Sequence, residues 1–238
     1  VLAASLADGI TLIENAAINP EVVDFLYFMQ RLGAKFDGIG TRKLKVEGVE
    51  ELGSATFEVM YDRITAISYM LAGAITGGEV VIQGINHRYL SSELIKLKET
   101  GIDVECDFDR IRIRGTKRIE PLNFVTSAYP GFHTDVQPLF AGLLCLAEGE
   151  STIKETILEN RFGYASELNK MGAKIQIELG DFLCVNGKQG RIAKINGVPA
   201  LHGTDVSAPD LRAGAALVIA ALSAKGRTRI DNVVQIDR

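Results

Sequence analysis

Two hydrophobic periods alternate along this chain, one helical and one of the half-buried strand. Three segments open with Asp, run through an apolar, small-residue helix and stop at a Gly turn. They are DRITAISYMLAGAITGG from Asp62, DVQPLFAGLLCLAEG from Asp135 and DLRAGAALVIAALSAKG from Asp210. Each passes into a short alternating stretch, EVVIQGI, ESTIKETI or RTRIDNV, which predicts a strand. The opening VLAASLADGITLIENA has the same helix-then-strand pattern.

After each strand the pattern predicts an amphipathic helix ending in Gly, then two more strands. The segments are PEVVDFLYFMQRLGAKFDGIGTRKLKVEG, RYLSSELIKLKETGIDVECDFDRIRIRG and RFGYASELNKMGAKIQIELGDFLCVNG. The interval from turn glycine to helix-ending glycine is nearly constant: Gly9 to Gly33, Gly78 to Gly101, Gly149 to Gly172. A Gly just past a helix takes up the left-handed C-cap conformation that strains other residues. Alternation in Lys43-Leu44-Lys45-Val46 and Ile111-Arg112-Ile113-Arg114 marks strands with one buried face. Arg110, Arg112 and Arg114 are therefore expected on a solvated strand face rather than in a binding patch.

The repeating unit is thus helix, strand, helix, strand, strand, with a period longer than that of solenoid repeats. The helices after Asp135 and Asp210 have almost no polar face, which predicts burial, and their Ala and Gly allow close approach. The second helix of each unit carries Lys, Glu or Gln on one side and is expected to be exposed. The prediction is an α/β chain: an inside-out α/β barrel of repeated βαβαββ units with buried helices. Val1 falls inside a helix and Arg238 just after a strand, so the array is expected to be part of a longer one.

Composition narrows the chemistry. At 238 residues, 47% of them hydrophobic, the chain makes one large domain or two smaller ones without disulfides or structural metal. A net charge of -4 argues against nucleic acid as a partner, because a phosphate backbone needs a concentrated basic face. Cys106, Cys145 and Cys184 are widely spaced without a CxxC pair, as reduced thiols are, and the last two sit in apolar runs as core residues. The longest apolar run, Ala213 to Ala224, is short of the roughly 20 residues of a membrane span. The chain reads as cytoplasmic, with no membrane association. His87 and His202 lack ligand partners at metal spacing, so no metal is expected. No Walker-type or dinucleotide-type glycine loop is present.

Four short motifs stand at positions set by the repeat: Thr134-Asp135-Val136-Gln137, Glu159-Asn160-Arg161-Phe162, Asp210-Leu211-Arg212 and Ile236-Asp237-Arg238. Near the start lies Ile13-Glu14-Asn15-Ala16-Ala17. In this order the motifs resemble the enolpyruvyl transferase family, and within it the branch acting on UDP-N-acetylglucosamine rather than the shikimate-pathway branch. The resemblance implies that residues 1–57 finish a first domain and 58–238 form most of a second, with Asp62 and Arg63 just beyond the crossover.

It also implies the reaction: the enolpyruvyl group of phosphoenolpyruvate moves to the 3-hydroxyl of UDP-N-acetylglucosamine, phosphate leaves, and no cofactor takes part. This would be the first committed step of peptidoglycan synthesis. Asp135 is implied as the base, with a plain helix-start Asp as its alternative. Guanidinium forks suit carboxylate and phosphate. By resemblance Arg238 would contact the phosphoenolpyruvate carboxylate and Arg161 would line the nucleotide site; a surface ion pair is the alternative for each. Asp210 and Arg212 are implied in cleft closure and ligand contact, or else form a structural pair. Ile157 falls where the family uses backbone contacts to the nucleotide. His133 either tunes Asp135 or is incidental.

Asp62, Asp135 and Asp210 occupy equivalent repeat positions, so their helices should start at one end and gather a positive field suited to phosphates. The family's loop cysteine and its Lys-Asn pair have no counterparts in this chain, so turnover by these residues alone is expected to be negligible. Two alternatives stand beside the leading reading: a paralogue with another nucleotide acceptor, and a non-catalytic fragment that binds a nucleotide or a protein.

Overall fold

In the computed structural model, which describes residues 1–236, the three complete sequence repeats fold into sheets that share one strand order. The first repeat comprises α1 (Leu2–Ser5), β1 (Ile10–Glu14), α2 (Pro20–Arg31), β2 (Lys35–Asp37) and β3 (Lys43–Glu47). The second runs through α3 (Arg63–Ile75), β4 (Glu79–Gln83), α4 (Ser91–Glu99), β5 (Asp103–Cys106) and β6 (Arg110–Arg114). The third has β7 (Asn123–Val125), α5 (Gln137–Leu144), β8 (Glu150–Glu155), α6 (Tyr164–Lys170), β9 (Lys174–Leu183) and β10 (Gln189–Asn196). A fourth begins with β11 (Asp205–Ser207), α7 (Leu211–Ser223) and β12 (Arg229–Asp231). Sheet orders are β1-β3-β2, β4-β6-β5 and β7-β8-β10-β9, with β11 and β12 as a separate pair. In each complete repeat the third strand lies antiparallel between the other two.

One hydrogen bond recurs as the clasp of the unit. The glycine after the third strand donates its N–H to the carbonyl of the turn glycine before the first: Gly48 to Gly9, Gly115 to Gly78 and Gly197 to Gly149, at 2.9, 2.8 and 3.0 Å. The approach is so close that a Cβ on Gly197 would fall on the carbonyl oxygen of Ala147. The helix-ending glycines Gly33, Gly101 and Gly172 have φ of 103°, 83° and 91°, as the sequence predicts.

The chain divides into two compact units, Val1–Tyr61 and Asp62 onward. The first is cored by Ala16, Leu26, Leu44 and Val46. In the second, α3, α5 and α7 pack against one another. All eight residues of α5 are buried, as its lack of a polar face demands. Gly142 of α5 lies close enough to α7 that a Cβ there would stand 3.2 Å from the Ala216 carbonyl oxygen. Ile111 and Ile113 of β6 are fully buried, worth about 1.5–3 kcal/mol each. The arginines between them lie on the outer face, where Arg114 meets Glu79 at 2.8 Å and Asp103 at 3.0 Å, and Arg112 meets Glu105 at 3.2 Å. The basic stripe is thus an ion-pair ladder across the sheet.

The leading strand of the βαβαββ unit is present as β7 and β11, which pair parallel with β8 and β12 and make βαβ crossovers around α5 and α7. With three residues each, they are too short to show alternation. Contrary to the sequence reading, Asp135 does not stand where Asp62 and Asp210 do. Those two cap α3 and α7, each accepting two backbone N–H bonds. Asp135 precedes α5 by two residues in a turn closed by Val136 N–H to His133 O at 3.0 Å, and α5 has no side-chain cap.

Candidate functional site

A turn, a loop and a helix start bring the motif residues together. The turn before α5 supplies Thr134 and Asp135, the loop after β8 supplies Arg161, and the first turn of α7 supplies Arg212. Because Asp135 is not spent on capping, both its oxygens are available to side chains. Arg161 Nη2 donates to one at 2.6 Å and Arg212 Nη2 to the other at 2.8 Å. All three side chains are largely covered, with 24% of Asp135, 16% of Arg161 and 27% of Arg212 exposed. Partial burial makes such charge-assisted bonds stronger than surface pairs.

Among the described residues Asp210 pairs with no guanidinium; its Oδ1 accepts the N–H groups of Arg212 at 2.8 Å and Ala213 at 2.9 Å. The Asp210–Arg212 side-chain pair is therefore replaced by Asp135–Arg212, since capping already occupies Asp210. Asp62 caps α3 through Ile64 and Thr65. Burial acts to raise its pKa, but bonds from Thr65 and Ile64 and the field of Arg212 outweigh it and hold the carboxyl below its usual range. Arg212 thus senses Asp62 as well as Asp135, so the three helix starts do share one end. Two of those starts carry a capping carboxylate, and the α5 terminus alone has none from a side chain, which narrows the expected positive field to α5 and the arginines. Arg63 is buried beside Asp62, its guanidinium 5.6 Å from the Tyr129 ring centre.

His133 Nδ1 accepts the Asp135 N–H at 3.0 Å, and its own backbone N–H donates to the buried Glu93 at 3.0 Å. It therefore fixes the backbone of the turn that carries Asp135. The Ile157 N–H is donated to Glu155 Oε1 at 2.8 Å. Arg238 and Asp237 lie outside the described residues.

Glu155 and Thr134 belong to the site although the sequence reading gave neither a role. Glu155 closes β8 and is fully buried. A period-2 count along ESTIKE puts Ser151, Ile153 and Glu155 on one face, and that face is the buried one. An inward-facing Glu was the available signal. Of the three cysteines, Cys145 and Cys184 are buried and Cys106 is exposed; the Cys184 thiol donates to the Glu155 carbonyl at 3.3 Å. Burial pushes Cys145 up to about 12. Among the described residues, no cluster of His, Cys, Asp and Glu could hold a metal ion, and no helix is long and apolar enough to cross a membrane.

The profile of the family described as EPSP synthase (3-phosphoshikimate 1-carboxyvinyltransferase) matches residues 1–238. UDP-N-acetylglucosamine 1-carboxyvinyltransferase 1 of Caldanaerobacter subterraneus subsp. tengcongensis is 43% identical over 238 residues, 100% of this chain and 55% of that protein. The UDP-N-acetylglucosamine 1-carboxyvinyltransferase of Zymomonas mobilis subsp. mobilis is 42% identical over 238 residues, 100% of this chain and 53% of its own. The chain therefore spans about half the length of the curated relatives it matches. Among solved structures, the enolpyruvyl transferase NikO from Streptomyces tendae superposes with a TM-score of 0.86 at 26% identity, over 99% of this chain and 54% of that one. EPSP synthase from Acinetobacter baumannii gives 0.70 at 20% identity, over 99% and 55%, a likeness of fold alone.

Proposed function

This chain belongs to the EPSP synthase family of enolpyruvyl transferases, and on that footing we propose that it is part of an enzyme transferring enolpyruvyl from phosphoenolpyruvate to UDP-N-acetylglucosamine. The observation that carries the choice of acceptor is the identity of 42–43% along the whole chain with relatives named for that sugar nucleotide. Residues 1–57 are read as the end of a first domain and 58–238 as most of a second. The mutually packed α3, α5 and α7, with separate small sheets about them, support an inside-out arrangement of helices and strands.

In this reading the sugar 3-hydroxyl attacks C2 of phosphoenolpyruvate and gives its proton to Asp135, while C3 gains a proton and becomes a methyl group. The C2–O3 bond forms and a tetrahedral ketal results. Loss of a proton from C3 then re-forms the double bond as the C2–O bond to phosphate breaks. Such a path needs a base at the hydroxyl and cations at the phosphate and carboxylate. Asp135 is covered but within reach of two guanidiniums, which suits a base lying beside an anionic substrate. Arg161 and Arg212 hold ligand anions, Arg238 takes the phosphoenolpyruvate carboxylate, Asp210 holds Arg212 in place through the α7 cap, and the Ile157 backbone meets the nucleotide. The acid that protonates C3 comes from the part of the family's architecture that this chain does not span.

The test is phosphate release by the full-length protein from phosphoenolpyruvate with UDP-N-acetylglucosamine. Release should require the sugar nucleotide, and Asp135→Ala should lower kcat by about 10³, the scale of a lost general base. Absence of release in the full-length protein, with nucleotide binding retained, would refute the acceptor. A transferase with another nucleotide acceptor is the second reading: the fold is shared at a TM-score of 0.86 with an enolpyruvyl transferase only 26% identical, so the fold alone does not fix the acceptor.

A further inference from the structure

Glu155 is a buried carboxylate whose hydrogen bonds run to two separate motifs. Its Oε1 accepts from the Thr126 hydroxyl at 2.9 Å, the Ile157 N–H at 2.8 Å and the Leu158 N–H at 3.1 Å. Its Oε2 accepts from the Thr134 hydroxyl at 2.9 Å. Thr134 Oγ1 in turn accepts Arg161 Nε at 3.4 Å, the longest link of the chain, and Arg161 Nη2 reaches Asp135. Thr126, itself fully buried, secures the far side: its Oγ1 accepts the Thr156 N–H at 2.9 Å.

The direction of these bonds carries the argument. A hydroxyl has one proton to give. Thr134 gives it to Glu155 and so presents a lone pair to Arg161, which a carboxylate at 155 enforces because it can only accept. We propose that Glu155 is a positioning residue for the transfer reaction, polarising Thr134 to orient the Arg161 guanidinium while fixing the backbone at 157 and 158. This rests on the reading of the preceding subsection. A buried carboxylate is retained only if its acceptor sites are filled, and here four donors fill them.

The substitutions separate its two tasks. Glu155→Gln keeps an oxygen for Ile157, Leu158 and Thr126 but turns a donor toward Thr134, whose hydroxyl then loses the acceptor for its own proton and shares its lone pairs between two donors. Thr134→Val removes the same link from the other side, and Thr134→Ser restores it. In the full-length protein, with phosphoenolpyruvate and UDP-N-acetylglucosamine, E155Q and T134V should each lower kcat about tenfold, as loss of a hydrogen bond to a charged group implies. Acting in one chain, they should be non-additive, so E155Q/T134V should again lose about tenfold rather than a hundredfold. The KM for the sugar nucleotide should stay within about twofold, because the 157–158 backbone keeps its acceptor, and T134S should lie within about threefold of wild type. Single variants within about twofold of wild type in kcat, or a double variant near a hundredfold, would overturn the proposal. Should E155Q fail to fold, the T134V and T134S pair decides alone. A silent wild type would instead refute the functional reading. The positioning role would then be judged from crystal structures of wild type and T134V, where an unmoved Arg161 guanidinium overturns it.

Discussion

Glu159, two residues from Arg161, is held by the Lys188 ammonium at 2.6 Å and the Asn186 amide at 2.6 Å. Lys188 foremost, then Asn186, draws its carboxyl down to about 2. Since the folded value is depressed, the stabilisation is complete above the ordinary glutamate range, declines as pH falls below it and is gone once pH has passed through about 2. The loop that carries Arg161 should therefore keep this tether through mild acid. An NMR titration of the Glu159 carboxyl should show its midpoint near 2, and Lys188→Ala should move it up toward 4.5. A midpoint unmoved in the variant would mean that the pair does not set it. At the residue scale, the convergence of three motifs was legible: Asp135, Arg161 and Arg212 stand in one cluster. Glu155 escaped because a charged residue in KETI reads as solvent-facing until the strand's inward side is counted. The partner of Arg212 escaped too, since sequence adjacency favours Asp210 and the cap that occupies Asp210 is a three-dimensional fact.

At the scale of elements, the glycine clasp is the most exacting contact in the repeat. Gly197→Ala places a methyl on the Ala147 carbonyl, so backbone must move, at a cost of about 1–3 kcal/mol of overpacking. Gly78→Ala is the control: its Cβ would meet nothing closer than 3.5 Å, and the change should stay within about 0.5 kcal/mol. Denaturant unfolding of both variants checks this, and equal stabilities would show that the clasp yields freely. The long pattern is readable in the amino-acid sequence: apolar helices, helix-ending glycines and paired strands all follow from period and composition. The clasp is not, because a Gly after a strand looks like any turn until its partner is known. The residues of β7 and β11 are not either, although the unit's leading strand is expected: their pairing comes from the neighbours β8 and β12 and not from any pattern of their own.

For the molecule as a whole, the two units differ in how much they bury. The first relies on a small cluster around Leu26, Leu44 and Val46, whereas the second has a continuous core through α3, α5 and α7. Local stability follows buried contact, so native-state hydrogen exchange of this chain should release the amides of Leu44 and Val46 before those of Ile67, Phe140 and Leu217. Simultaneous release would instead indicate one cooperative body. The sequence announced the repeat; it did not announce how unequally the repeats would be cored, because that depends on which helices find one another.

The clasp between Gly149 and Gly197 fixes the ends of its unit but not the amount of chain between them. Strands β9 and β10 have ten and eight residues, against four and five in β5 and β6, yet both units close through the same glycine pair. A unit of this kind can lengthen by extending its hairpin outward, with no change of register where it is fastened. In the third repeat that extra reach brings Asn186 and Lys188 onto Glu159, so a change in hairpin length alone can give an otherwise repetitive architecture a loop support.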